Sequence, residues 1–182
     1  AVSASIVLLV SNLSKILSQF LVLVITARLL SPGELGIVST AVLIITFLLI
    51  LAELGLSQAV TQSFKIDQSI IFSAFLFGLF QAVIFYSLLL VSSSSISLFF
   101  EEPQLSSLLR IVATAIPIHI LGLIPEALLL REKKFKNISF AEIISNISHL
   151  FAICILLFEG FGVLSIAFSY PIKFFVRSLL LS

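Results

Sequence analysis

Six long apolar segments occupy most of the sequence, and they restrict the fold more than any other feature. A helical segment of about 20 apolar residues spans the ~30 Å hydrocarbon core of a bilayer. Because that core holds no water, each backbone amide must bond within its own segment, as it does in a helix. We therefore predict helices at about 4–27, 37–58, 69–93, 105–129, 139–158 and 162–182.

The composition places the chain in a membrane. Hydrophobic residues make up 60% of the sequence, charged residues only 10%, and the mean hydropathy is +1.28. A soluble domain of this size would need more charge to cover its surface. We predict an all-α integral membrane protein, a bundle of about six transmembrane helices. The net charge of +1 gives no reason to expect a nucleic acid as a partner.

Few residues could support catalysis or bind a metal. The chain has two histidines and one cysteine, Cys154, and the sequence holds no metal-ligand cluster, phosphate loop or nucleophile–base motif. We therefore predict that the chain is not an enzyme and uses no cofactor and no metal.

Basic residues are distributed unevenly between the connecting loops. Lysine and arginine mark the cytoplasmic side of a membrane protein. The second and fourth loops are basic, and the other loops are mainly acidic, although Arg28 and Arg110 go against the rule. We predict a multi-pass protein of the inner (cytoplasmic) membrane with its amino terminus in the cytoplasm. The basic residues of those two loops are Lys65, Arg131, Lys133, Lys134 and Lys136.

Polar residues follow one side of the first predicted helix. A lysine at the bilayer centre costs ~2.5–3.5 kcal/mol on insertion scales, so Lys15 should face a polar partner or a water-filled cavity. We predict substrate-binding roles for Asn12, Lys15 and Gln19. An interhelical bonding role or a snorkelling role for Lys15 stays open. At ~100° per residue the stripe contains Ser5, Asn12, Lys15, Gln19 and Thr26, and Ser11, Ser14 and Ser18 extend it.

The sixth segment places two more cations at membrane depth. Ser169, Lys173 and Arg177 form an i, i+4, i+8 ladder on one face of the predicted helix. We predict that Lys173 and Arg177 also bind substrate. An anionic substrate group would explain Lys15 and Lys173, and ion pairs with Glu53 or Glu142 would explain them equally well.

Carboxylates and histidines lie on the helices between them. Glu53 and His149 are the predicted ion-coupling residues, although Glu53 could instead be an interfacial carboxylate in water. His119 and Glu126 share a face of the fourth segment, where Glu126 could also be interfacial. Ser139 and Glu142 match a capping box at the start of the fifth segment, which would leave Glu142 a local role.

Two patterns predict irregularities within segments. Pro117 and Pro125 should bend the fourth helix, because proline frees a backbone carbonyl. The serine run 92–95 predicts the outer end of the third helix.

Four motifs in order resemble a known family. They are Ala27-Arg-Leu-Leu-Ser-Pro-Gly-Glu-Leu-Gly36, Ala52-Glu-Leu-Gly-Leu-Ser-Gln-Ala59, Leu130-Arg-Glu-Lys-Lys-Phe135 and Gly160-Phe-Gly-Val163. Together they resemble the bacterial polysaccharide flippases for O-antigen and exopolysaccharide, in the multidrug/oligosaccharidyl-lipid/polysaccharide exporter superfamily. Members often carry tryptophan after the last motif, where this chain has Leu164.

The resemblance implies an architecture and a function. Residues 1–182 would be the amino-terminal lobe of a MATE-like V-shaped transporter with twelve to fourteen helices, and a carboxy-terminal lobe would follow. Such proteins move a lipid-diphosphate-linked oligosaccharide across the membrane through a cavity that is commonly cationic. The implied partners are that lipid-linked oligosaccharide, membrane lipids and other glycan-assembly proteins. Alternatives are a multidrug or peptidoglycan-precursor transporter of the same fold, a membrane enzyme of glycan assembly, and a scaffold subunit.

Overall fold

The protein is entirely helical where the structure describes it. The computed structural model describes residues 2–53, 56 and 68–182, and describes side chains from residue 9 onward. No strand occurs in these ranges. The helices are α1 (Val2–Leu29), α2 (Pro32–Glu53), α3 (Gln68–Phe99), α4 (Pro103–Ala113), α5 (Ala115–Arg131), α6 (Phe135–Phe158) and α7 (Leu164–Leu181).

Six spans in the described ranges are long and apolar enough to cross a membrane. Five are single helices, and the sixth combines α4 and α5 into one span from Pro103 to Arg131. The prediction of an all-α membrane bundle with six spans is therefore confirmed. The predicted end of the second helix at residue 58, and Lys65 in the second loop, lie outside the described residues.

Helix α2 begins at Pro32 rather than at 37. The backbone N–H and the hydroxyl of Ser31 both donate to the Glu34 carboxylate, at 2.8 Å each. The Glu34 N–H in turn donates to the Ser31 hydroxyl at 3.4 Å. This is a capping box with proline at the first helical position, where its missing N–H has no cost. The turn after α1 is therefore short.

Helix α3 continues to Phe99, so the prediction that it ends in the serine run 92–95 was wrong. Ser93 donates from its hydroxyl to the Leu90 carbonyl of the same helix at 2.8 Å. Arg110 on α4 donates to the hydroxyls of Ser93 and Ser94, at 3.2 and 3.1 Å. The serines therefore find partners without ending the helix.

The fourth span breaks at Thr114, the residue between α4 and α5. Pro117 follows three residues later and has no N–H to donate to the Ala113 carbonyl, which explains the break. Pro125 lies inside α5. The predicted irregularity of this span is confirmed at its first proline.

Helix α6 begins at Phe135 rather than at 139, with Lys134 as its cap. Ser139 therefore lies within the helix, and its buried hydroxyl has no hydrogen-bond partner in residues 9–53, 56 and 68–182. The capping-box interpretation of Ser139 and Glu142 was wrong, because the helix already has its first turn before Ser139. Between α6 and α7, Gly160 and Gly162 have φ of 83° and 52°, which glycine adopts without strain.

The span of α4 and α5 is the most buried, and α1 lies at the edge. Helix α5 packs closely on α7, where the α-carbon and β-carbon of Ser178 lie 3.3 Å from the position that a β-carbon on Gly122 would occupy. Helix α1 packs mainly on α6 and barely contacts α2. The α1 residues Ser11, Ser18 and Thr26 are buried, in keeping with small residues at helix interfaces in lipid.

Candidate functional site

Ionisable side chains from five helices lie close enough to interact with one another. We call this group the polar cluster. Its members are joined by hydrogen bonds, by salt bridges or by electrostatic interaction. They are Lys15 on α1, Glu53 on α2, His119 and Glu126 on α5, Glu142 on α6, and Lys173 and Arg177 on α7.

Arg177 joins three helices at the centre of the cluster. Its Nη2 donates to Glu126 Oε1 at 2.7 Å, and its Nε donates to Glu142 Oε2 at 2.8 Å. The three side chains are only 14–17% exposed. Asn146, one turn after Glu142, donates to the other carboxylate oxygen at 3.4 Å. Arg177 is thus paired with two carboxylates, and we call the three residues the Arg177 clasp.

Sequence position and close packing explain the clasp. Gly122 lets α5 approach α7 where Ser178 lies, and Glu126 follows Gly122 by one helical turn. The carboxylate of Glu126 therefore reaches the guanidinium of Arg177. Glu126 is buried within the bundle and ion-paired, with 17% of its side chain exposed.

A second pair joins α2 to α5. His119 Nε2 lies 2.5 Å from Glu53 Oε1, and the His119 side chain is 6% exposed whereas Glu53 is 46% exposed. The imidazole packs on the ring of Phe174, with 4.5 Å between centroids. Its buried Nδ1 has no hydrogen-bond partner among the residues that the structure describes. Glu53 therefore contacts His119, which the sequence did not identify as its partner.

Lys15 and Lys173 differ from Arg177 in having no direct ion pair. Within the described residues, no carboxylate oxygen lies within 4 Å of either ammonium group. Both lysines still interact electrostatically with Glu142 and with each other, and Lys15 also interacts with Glu53. Lys15 is exposed, and Lys173 is partly buried. The two cations therefore lie near carboxylates that are bonded to other groups.

The polar stripe of α1 divides into two parts. Ser11 and Ser18 are buried at the packed face, whereas Asn12, Lys15 and Gln19 are exposed. The side chain of Ser5 lies outside the described residues. The predicted substrate-binding residues of α1 thus share an exposed edge beside the helix interface.

A cleft of about 650 Å³ opens between α1, α2, α6 and α7. His149 lies in it, and its ring packs edge-on against Tyr170 at 5.2 Å. Within the described part of the chain, the buried Nε2 of His149 has no hydrogen-bond partner. The structure does not pair His149 with Glu53, the other predicted coupling residue. The polar side chains of the cleft are Gln19, Thr26, Ser39, Thr46, His149 and Tyr170.

The sequence indicated the members of the cluster better than their pairing. The spacing of His119 and Glu126 predicted a shared face, but no pattern within α5 identifies partners on α2 and α7. Glu142 was assigned a local alternative because its own helix offered one. Among the described residues, no group of three or more His, Cys, Asp or Glu is arranged to hold a metal ion.

Comparisons with known proteins agree with this architecture. The chain is 27% identical over 159 residues to the succinoglycan biosynthesis transport protein ExoT of Rhizobium meliloti (strain 1021), covering 87% of the chain and 32% of that relative. It is 27% identical over 175 residues to an uncharacterized membrane protein in the cps region of Klebsiella pneumoniae, covering 94% of the chain and 36% of that relative. No solved structure matches significantly.

These relatives are longer than the chain, which spans about a third of their length. One of them is named a transport protein. A family model described as "Polysaccharide biosynthesis protein" matches residues 25–182, most of the chain. The resemblance seen in the four motifs is thereby confirmed, and the chain belongs to this family of polysaccharide biosynthesis membrane proteins.

Proposed function

We propose that the protein is a flippase, not an enzyme, that moves a lipid-diphosphate-linked oligosaccharide across the cytoplasmic membrane by alternating access. The observation that carries this proposal is the pair Lys15 and Lys173. Both ammonium groups lie within membrane spans, and neither has a carboxylate within 4 Å in the described part of the chain. Such cations are costly in lipid and need a partner. An anionic substrate group would supply it.

A diphosphate suits this arrangement. Phosphate oxygens accept charge-assisted hydrogen bonds from ammonium groups, and the attraction strengthens where water is scarce. Lys15 on α1 and Lys173 on α7 are close enough to interact electrostatically, so we propose that both bind one diphosphate. The exposed amides of Asn12 and Gln19 flank Lys15 and would bind further oxygens of the same substrate.

Coupling to an ion gradient is the proposed role of Glu53 and His149. Glu53 is the most exposed carboxylate of the polar cluster, and His149 has a buried ring nitrogen that no described residue bonds. Ionisable groups at such depth are typical of proton and ion pathways. The two residues act separately in this proposal, because Glu53 contacts His119 and His149 lies in the cleft.

A transporter of the same fold for a cationic drug is the second candidate. The observation in its favour is the carboxylate of Glu53, which is 46% exposed. Glu126 and Glu142 would not serve it, since Arg177 already binds both. The family match and the relative named as a succinoglycan transport protein favour a glycan substrate.

The proposed orientation places the amino terminus and Lys134 in the cytoplasm, with lipid-linked oligosaccharide, membrane lipids and other glycan-assembly proteins as partners. Lys134 is exposed after α5. Cysteine introduced there in a Cys154→Ser background should resist impermeant thiol reagents in intact cells. Labelling from outside would reverse the topology.

Export tests the function itself. The full-length protein with Lys15→Ala and Lys173→Ala should fail to restore glycan export in a deletion strain, while its membrane level stays near that of the parent. Lys134→Ala is the matched control, because it removes an exposed lysine outside the cluster and should leave export normal. Normal export by the double variant would refute the cationic site.

A further inference from the structure

The geometry of Arg177 differs from that of the two lysines, although all three were predicted to bind substrate. We infer that Arg177 is a positioning residue, which holds the carboxylates of Glu126 and Glu142 so that Lys15 and Lys173 stay free to bind the diphosphate. This inference rests on the proposed function. It assigns Arg177 an indirect role, without contact to the substrate.

The hydrogen bonds of the clasp engage both buried carboxylates, Glu126 and Glu142. Arg177 uses Nη2 for Glu126 and Nε for Glu142, in a side chain that is 14% exposed. Asn146 donates to the remaining oxygen of Glu142. The planar guanidinium suits this task, because its donors point in fixed directions towards two acceptors at once. A lysine would present a single charge in place of this fork.

The position of Glu142 explains why the clasp matters. This carboxylate interacts electrostatically with both Lys15 and Lys173. Lys173 precedes Arg177 by one helical turn on α7, so it is the nearest replacement cation on that helix. Without Arg177, the buried Glu142 would need another partner, and Lys173 would supply it. A lysine already paired in this way must break that pair before it can bind a diphosphate.

The balance of charges within the polar cluster also supports a positioning role for Arg177. Lys15, Lys173 and Arg177 are matched by Glu53, Glu126 and Glu142. Arg177 is bonded to two of these carboxylates and His119 is bonded to the third. The remaining cations are the two lysines, so the surface offered to a ligand is positive although the cluster as a whole is balanced.

The test measures binding of geranyl diphosphate to the purified full-length protein, together with its thermal unfolding midpoint. Arg177→Gln should weaken binding by at least about tenfold, because the released carboxylates compete for the lysines. The triple variant Glu126→Gln, Glu142→Gln, Arg177→Gln should bind within about threefold of the parent or more tightly, because the competing carboxylates are gone. A triple variant as weak as Arg177→Gln would overturn the inference, since it would mean direct contact.

If Arg177→Gln does not fold, single variants of the two carboxylates still test the inference. Glu126→Gln and Glu142→Gln should each retain binding, even where the unfolding midpoint falls. Weakening of binding in step with the midpoint would show a merely structural clasp and overturn the inference. The proposed function fails separately, when the parent does not bind the probe or when Lys15→Ala with Lys173→Ala binds it normally.

Discussion

The polar residues of α1 and those of the Arg177 clasp all lie within candidate membrane spans, but their surroundings differ. In the clasp, every charged group has an oppositely charged partner within 3 Å, and the side chains are nearly buried. On α1, Lys15 is exposed, and in the described part of the protein it has no such partner. Charges satisfied within the bundle stabilise it, whereas charges left unsatisfied must find a partner elsewhere. Under the proposed function, the clasp has a structural role and Lys15 binds substrate.

Removal of Arg177 should have the largest effect on stability. Arg177→Ala breaks both buried ion pairs and leaves Glu126 without its cation, which costs about 3–5 kcal/mol for a broken buried pair. We expect a much lower membrane level and a lower unfolding midpoint in detergent. Lys173→Ala on the same helix is the matched control and should be tolerated. An equal fall in membrane level and unfolding midpoint in both variants would show that the clasp is no more important for stability than Lys173.

Removal of Lys15 should act in the opposite direction on insertion. Lys15→Ala takes away a cost of ~2.5–3.5 kcal/mol for a lysine at the helix centre, so insertion of α1 should improve. A translocon insertion assay on α1 and a membrane blot of the full-length protein measure this. If Lys15 instead forms a structural ion pair with a carboxylate, the membrane level of Lys15→Ala will fall. Lys15 would then have a structural role like that of Arg177.

The approach of α5 to α7 can be disturbed without changing any charge. Gly122→Val places new atoms against the backbone of Ser178, an overpacking that costs about 1–3 kcal/mol. It should also separate Glu126 from Arg177. Gly36→Val makes the same change where no other described residue lies within 4 Å of the added β-carbon, and should leave the midpoint nearly unchanged. A milder effect at Gly122 than at Gly36 would argue against close packing at the clasp.

The smallest expected effect on stability comes from an ion pair that is exposed to water. Lys134 and Glu132 lie 2.6 Å apart, but their side chains are 55% and 57% exposed. Such pairs contribute about 0.2–1 kcal/mol, so Lys134→Ala should shift the unfolding midpoint very little. A loss comparable to that of Arg177→Ala would mean that burial does not set the strength of these pairs.

The sequence predicted the spans well because membrane insertion imposes a simple rule on apolar length. It predicted helix ends less well. The capping box of Ser31 and Glu34 starts α2 earlier than predicted. Helix α3 continues past its serine run, where the Ser93 hydroxyl donates to a backbone carbonyl and accepts from Arg110. Local patterns place a residue on a face of its own helix, and they contain no information about which helix packs there. The partners of Arg177 and Glu53 could therefore not be predicted from the sequence.

The central claim is that Lys15 and Lys173 bind a diphosphate, and affinity for geranyl diphosphate tests it most directly. Each charge-assisted hydrogen bond contributes about 1.5–3 kcal/mol, so loss of both lysines should weaken binding at least about 100-fold. The account predicts this loss in the purified full-length Lys15→Ala, Lys173→Ala variant, with an unfolding midpoint close to that of the parent. Unchanged affinity in the folded double variant would contradict it.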